Sequence, residues 1–255
     1  MNSIKNIHIL IKDESQNPNG TYKDRRSKYI IKKAIEKQVS KLCLITSGNA
    51  GYSLAMFARP QGIKVVCIID TNLNQKIKTR LNKVCYKVIE QNLNKDILNP
   101  EKVIAMAREK DDEVIWEVTN GYSEAYEEII GKLKNDKFDY LVCPVGSGEA
   151  FIGLCQGLKK YKHKAKLIGV GVKSNPSMAD KLATPWSPYQ SRIEAALKQG
   201  HKLIRLSEPE VAEIYQSYKD KYECEPSSSV VWAAFGKFNL VGKKVVVINS
   251  GKGLF

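Results

Sequence analysis

The sequence predicts an α/β protein with mostly parallel sheets, and three observations carry that prediction. Short apolar runs alternate with amphipathic stretches of helical period from one end of the chain to the other. Three loops rich in Gly and small polar residues follow directly on such runs: TSGNAG (46–51), VGSGE (145–149) and NSGKG (249–253). No internal repeat, low-complexity tract or linker interrupts the pattern.

The expected strands are IHILIK, LCLIT, VVCIID, YKVIE, EVIWEV, YLVCPV, KLIGVGV, KLIRL and KVVVIN, each five to seven residues long and rich in β-branched side chains. Near-continuous apolar runs of that length suit strands covered by helices on both faces. The expected helices are DRRSKYIIKKAIEKQ, AGYSLAMFARPQ, NQKIKTRLNKV, YSEAYEEIIGKL, EAFIGLCQGLKKY, PEVAEIYQSYK and SVVWAAFGKF. The stretch 174–192 carries three prolines and little period, and a long ordered excursion is expected there.

With 255 residues, 43% hydrophobic and 27% charged, the chain can hold one large or two modest globular domains. No apolar run reaches the roughly 18 residues of a membrane helix. The start, MNSIKNIHILIKDE, lacks the apolar core and cleavage site of a signal peptide, so a cytoplasmic, soluble protein is expected. Six cysteines form no CxxC pair, and Cys43, Cys67 and Cys143 lie inside strand runs, which reads as free thiols rather than a disulfide or zinc framework. His8, His163 and His201 have no metal spacing, and no metal is expected. The formal charge of +14 raises nucleic acid as a partner. The lysines are scattered, however, and the densest run, KKYKHKAK (159–166), holds one aromatic and no nucleic-acid motif. It is either a solvated helix end or a patch for an anionic partner, and nucleic acid is not the expected ligand.

In open α/β sheets, ligands gather where strands end and helices begin. TSGNAG there offers amides and hydroxyls suited to a carboxylate or phosphate; equally, such residues make an N-cap and tight turn. VGSGE is a Gly loop at a helix start, but it matches neither GxGxxG nor a Walker loop, which disfavours a dinucleotide or ATP. Ser250 of NSGKG can bond a ligand heteroatom or simply end a strand. Upstream, NPNGTYKDRRS (17–27) is a turn running into a basic helix with Lys23 at the junction, and Asn49 follows 26 residues later.

In this order the segments resemble the pyridoxal-phosphate (PLP) enzymes of fold type II, which include threonine synthase, cysteine synthase, threonine and serine dehydratases and the tryptophan synthase β-subunit. KDESQNPNGTYKDRRS is similar to the family's lysine segment and ITSGNAGYSLAMFA to its asparagine loop, in wording nearest threonine synthases. NGYSEAYEEI, PVGSGEAFIG, CEPSSSVVWAAF and VVVINSGKG resemble the return to the large domain, the phosphate loop, the late helix entry and the terminal strand.

The resemblance implies two open α/β domains with the cofactor, pyridoxal 5'-phosphate, in the cleft between them. A smaller mobile domain, 36–132, would carry the asparagine loop, and 1–35 with 133–255 would form the larger one. It implies that Lys23 forms the Schiff base and moves the substrate α-proton, with Asp24 and Arg25 orienting the helix. It also implies that Asn49 bonds the cofactor's 3′-oxygen, and that Thr46, Ser47, Gly48, Asn49, Ala50 and Gly51 receive the substrate carboxylate. Gly146, Ser147, Gly148, Glu149 and Ala150 would hold the phosphate, and Ser250 would face the pyridine nitrogen. A neutral hydroxyl there biases the chemistry toward elimination or replacement at the β or γ carbon of an amino acid.

Two departures stand out. Glu149 occupies a position where the family usually has Gly; a carboxylate at a helix start is acceptable when it points outward, and that orientation is expected. The chain begins almost at the lysine segment, without the arm that in most relatives helps build a homodimer and the large domain. These departures motivate the alternative of a catalytically reduced PLP-fold protein that binds a ligand or partner, against a lyase or synthase of amino-acid metabolism.

Overall fold

The structure is a computed structural model of the chain and describes residues 6–93, 95, 98–173, 178–184 and 187–253. The chain divides into two compact units, one of Met1–Gln16 with Ser123–Lys252 and one of Asn17–Tyr122 with Gly253–Phe255. Every strand pair in both sheets is parallel.

In the unit built on 17–122, four strands stand in the order β4-β3-β2-β5: β2 (Lys41–Ile45), β3 (Lys64–Asp70), β4 (Lys87–Gln91) and β5 (Ile115–Glu117). Side chains alternate faces along a strand, and this divides the apolar runs between two cores. Leu42, Leu44, Val65, Cys67 and Ile69 meet the helices α1 (Lys23–Glu36), α2 (Asn49–Ala58) and α3 (Gln75–Val84) through Ile30, Leu54 and Leu81. Cys43, Val66 and Ile68 turn to the other face, against Val103 and Ala107 of α4 (Pro100–Ala107). Lys41 is buried at the start of β2 and held by ion pairs to Glu113 (2.7 Å) and Glu109 (3.1 Å).

The other unit holds five strands in the order β1-β9-β6-β7-β8: β1 (His8–Asp13), β6 (Tyr140–Pro144), β7 (Lys166–Val172), β8 (Lys202–Leu206) and β9 (Lys244–Asn249). Helices α5 (Glu127–Leu133) and α6 (Glu149–Lys160) pack against each other, as α7 (Gln190–Lys198) does on α6. The remaining helix is α8 (Glu208–Tyr222), started by a Ser207–Glu210 capping box and followed by the short α9 (Pro226–Ser229) and α10 (Ala234–Lys237). Val142, Ile168, Val170, Val245 and Val247 form a core with Trp232 and Phe235.

All nine expected strands are present, within two or three residues of the expected ends. Helices α4 and α7 were not expected. α4 is an eight-residue helix that depends on its Asn99 cap and Pro100 start, and α7 begins inside the proline-bearing stretch 174–192. Of that stretch, 174–177 and 185–186 lie outside the described residues. The expected domain boundaries lie at 36 and 132; the compact units divide at 17 and 122. The segment 17–35 groups with the four-stranded unit because α1 packs along α2, and 123–132 groups with the five-stranded unit because it packs on α6.

Candidate functional site

Lys23 is the first residue of α1 and half-buried. The turn before it is closed by Gly20 N–H donating to Asn17 O (2.8 Å), and the Lys23 amide donates to Thr21 Oγ1 (3.2 Å). Asp24, fully buried, accepts from the Asn19 amide at 2.7 Å and from its side chain at 3.1 Å. It also accepts from Ser53 Oγ at 2.6 Å, so one carboxylate ties the turn, α1 and α2 together. Arg26 is buried and donates to Val118 O. Asp24 therefore sets the start of α1, and with it the position of Lys23.

In the same unit, β2 ends at Ile45 and the chain turns through Thr46–Gly48 into α2, whose first residue is Asn49. Gly48 has φ of 131°, a conformation that glycine adopts without cost. Thr46 Oγ1 accepts from the amides of Gly48 (3.1 Å) and Gly51 (3.2 Å), so its oxygen shapes the loop. Asn49 is buried and Ser47 exposed. The first amides of a helix have no intrahelical acceptor, which makes this start suited to a carboxylate.

In the five-stranded unit, β6 leads through Val145–Gly148 into α6. Gly148 lies at φ 95°, and a Cβ there would come within 2.5 Å of Ile193 Cδ1. Ser187 Oγ donates to Ser147 O, and the Tyr189 amide donates to Ser187 Oγ (3.1 Å). Gly146 and Ser147 are half-exposed; Gly148 and Ala150 are buried. The expectation that Glu149 faces solvent is corrected: it is 3% exposed, and its Oε1 accepts from Tyr189 Oη at 3.1 Å. A buried carboxylate requires such a donor, and Tyr189, itself buried, supplies it.

At the end of β9, Ser250 is buried and its amide donates to Ser228 Oγ (2.8 Å), which in turn donates to Asn249 Oδ1 (2.8 Å). Asn249 Nδ2 donates to Asp13 Oδ1 (3.0 Å) and Tyr222 O (3.2 Å). Sequence reasoning missed three residues at this turn, where the Glu225 amide donates to Gly251 O (3.2 Å). Lys181 pairs with buried Glu225 at 2.6 Å, and Ser227 Oγ is buried with no hydrogen-bond partner among the described residues. Only the Glu-Pro-Ser-Ser-Ser wording of 225–229 hinted at them.

The sequence matches the profile described as "Pyridoxal-phosphate dependent enzyme" over residues 2–251. The chain belongs to that family. Its cofactor is pyridoxal 5'-phosphate. Among solved structures, it is similar to an O-acetylserine dependent cystathionine β-synthase from Helicobacter pylori, with TM-score 0.78 and 19% identity over 96% of this chain and 87% of that one. It is likewise similar to serine racemase from Dictyostelium discoideum, with TM-score 0.79 and 17% identity over 97% and 88%. A hydrogen sulfide-producing enzyme from Fusobacterium nucleatum gives TM-score 0.75 and 18% identity over 96% and 90%. These likenesses establish the fold, that of fold type II PLP enzymes.

The residues present fit the cofactor. A Gly loop at the start of the 12-residue α6 suits a phosphate, a lysine amine stands at a helix start, and Ser227 leaves a buried hydroxyl unmatched among the described residues, beside the turn that fixes Ser250. Among the described residues, no helix is long and apolar enough to cross a membrane.

Proposed function

We propose that this PLP enzyme is an amino-acid lyase or synthase catalysing elimination or replacement at the β or γ carbon, in the manner of cysteine synthase or threonine synthase. The observation that carries the reading is the setting of Lys23: a lysine amine placed at a helix start by the Asp24–Ser53 bond, in the unit that also presents Asn49 at a helix start. Two of the similar structures are described as an O-acetylserine dependent synthase and a hydrogen sulfide-producing enzyme, activities of this class.

In this reading Lys23 Nζ would hold the cofactor and, as a neutral amine, would take the substrate's α-proton. Bound PLP supplies the electron sink for the charge left at the α-carbon. Thr46, Ser47, Gly48, Asn49, Ala50 and Gly51 receive the substrate carboxylate, and Asn49 also bonds the cofactor's ring oxygen. Gly146, Ser147, Gly148, Glu149 and Ala150 hold the phosphate through backbone amides, since the Glu149 carboxylate is engaged by Tyr189. Ser250 would face the pyridine nitrogen with a neutral hydroxyl, which would favour departure of a β or γ group.

The test is a panel of serine, threonine, O-acetylserine, O-phosphoserine and O-phosphohomoserine, with and without sulfide. Release of keto acid with ammonia, release of threonine, or formation of cysteine is the expected result. Interconversion of L- and D-serine without loss of a group would overturn the reading in favour of a racemase. Spectral change with no product across the panel would favour a catalytically reduced, ligand-binding protein.

A further inference from the structure

Cys67 and Cys85 stand apart from the other thiols. Their Sγ atoms are 3.4 Å apart although the residues are 18 positions apart in sequence. Cys67 is fully buried near the middle of β3, in register with Leu44 of β2 and Val88 of β4. Cys85 is half-exposed at the C-terminal end of α3, fixed by its amide to Leu81 O (2.8 Å), and the next residue is anchored to β3 through Tyr86 N–H to Val65 O (2.9 Å). The pair thus joins a rigid strand to a helix end that solvent reaches.

The same Cys67 sulfur also packs against the asparagine loop. A Cβ on Gly51 would lie 2.6 Å from Cys67 Sγ and 2.7 Å from Thr46 Cγ2. Gly51 donates its amide to Thr46 Oγ1, the oxygen that also holds Gly48 (3.2 and 3.1 Å). Close packing transmits small displacements.

We propose that Cys67 and Cys85 form a redox-responsive thiol pair that closes to a disulfide under peroxide and so loosens the loop 46–51. Cys85, the accessible member, meets the oxidant. Its sulfur attacks one peroxide oxygen, the O–O bond breaks, and hydroxide leaves to become water, giving a sulfenic acid. Cys67 Sγ then attacks Cys85 Sγ; the S–S bond forms, the S–O bond breaks, and the hydroxyl departs as water with the Cys67 proton. Two thiols lose two hydrogens and one peroxide becomes two waters. The hydrogen bond to Cys85 and burial hold the Cys67 thiol well above the usual range, so Cys67 is not the thiol that meets the oxidant. Bonding requires the sulfurs to close to about 2.05 Å and both Cβ–S bonds to reorient. That moves Cys67 Sγ and changes its close packing against Gly51. The loop's task as the carboxylate pocket rests on the proposed function; the disulfide itself does not.

The experiment treats the full chain with hydrogen peroxide, blocks remaining thiols, digests with trypsin and maps the peptides by mass. The predicted product joins 65–76 (VVCIIDTNLNQK) to 84–87 (VCYK), and it is absent from Cys85→Ser and Cys67→Ala. Amide hydrogen exchange at 46–51 is expected to quicken at least several-fold in the oxidised protein, reversing with dithiothreitol. Oxidation of other cysteines with no 65–76/84–87 product would overturn the thiol pair. The product without a change of exchange at 46–51 would overturn its coupling to the loop. Cys85→Ser alters only the half-exposed member, so the comparison stands even where a Cys67 variant folds poorly. Neither readout depends on the cofactor, so a failure here is distinct from a failure of the catalytic reading.

Discussion

Ser53, in α2, donates its hydroxyl to Oδ1 of Asp24, in the first turn of α1, at 2.6 Å, and lies 2.7 Å from Ser27 Oγ. All three are buried, and the same carboxylate receives the Asn19 amide from the preceding turn. A residue next in sequence to Lys23 therefore acts as the fastening of the segment that carries it.

Asp24→Ala should leave the Ser53 hydroxyl and the Asn19 amide without their acceptor. Hydrogen bonds to a charged group contribute roughly 1.5–3 kcal/mol, so a loss of about 3 kcal/mol is expected. Ser53→Ala should cost about 1–2 kcal/mol, and the double variant less than the sum, because the two share one bond. Urea unfolding followed by circular dichroism measures all three.

Gly148→Ala places a side chain at φ 95° and against Ile193 Cδ1. The left-handed conformation alone costs roughly 1–2 kcal/mol. Fluorescence titration with PLP should show weakened cofactor binding, because relief of the clash must shift the start of α6.

Tyr189→Phe removes a hydroxyl that donates to the buried Glu149 carboxylate. Loss of a donor to a buried acceptor costs about 1–3 kcal/mol, and the midpoint of thermal unfolding should fall accordingly. The paired variant Glu149→Gln with Tyr189→Phe should recover part of the loss by removing the charge.

The Lys41 triad predicts a pH profile. The Lys41 hydrogen bond, then amide bonds from Glu109 and Lys110, hold Glu113 down at about 2 against an ordinary 4.5. Burial opposes the charge on Lys41, but Glu113 and Glu109 outweigh it and raise its pKa above the ordinary 10.5. A depressed carboxylate contributes stability that is present above its unfolded pKa and lost as pH falls through its folded one. That part should disappear between about pH 4.5 and 2. The raised ammonium contributes below 10.5, and its share is lost as pH rises through its folded value. Lys41→Met should flatten both limbs in urea midpoints measured against pH. It flattens the acid limb only in part, because Glu210 is also held at about 2, by Lys237 and Ser207.

The strands were legible as short runs rich in β-branched residues, and the inner ones bury both faces; VVCIID reads as one apolar run since Val66 and Ile68 serve one core and Val65, Cys67 and Ile69 the other. Helix α7 was hidden by the prolines before it, and α4 by its brevity. The Gly loops and Lys23 could be found because a strand end followed by small residues is a local signal. What held them was not local. Asp24 with Ser53, Glu149 with Tyr189, and Asn249 with Asp13 pair residues 29, 40 and 236 positions apart. Only folding brings such partners together. Glu149 shows the consequence: its position predicted an outward carboxylate, and a tyrosine 40 residues away made burial possible.

The central claim, that Lys23 carries the cofactor, is tested most directly by reducing the PLP-loaded protein with borohydride and mapping the label by peptide mass spectrometry. The account predicts a yellow protein whose label lies on Lys23 and is absent from Lys23→Ala, with the circular dichroism of the variant unchanged. A label on another lysine, or a protein that stays colourless in excess PLP, would contradict it.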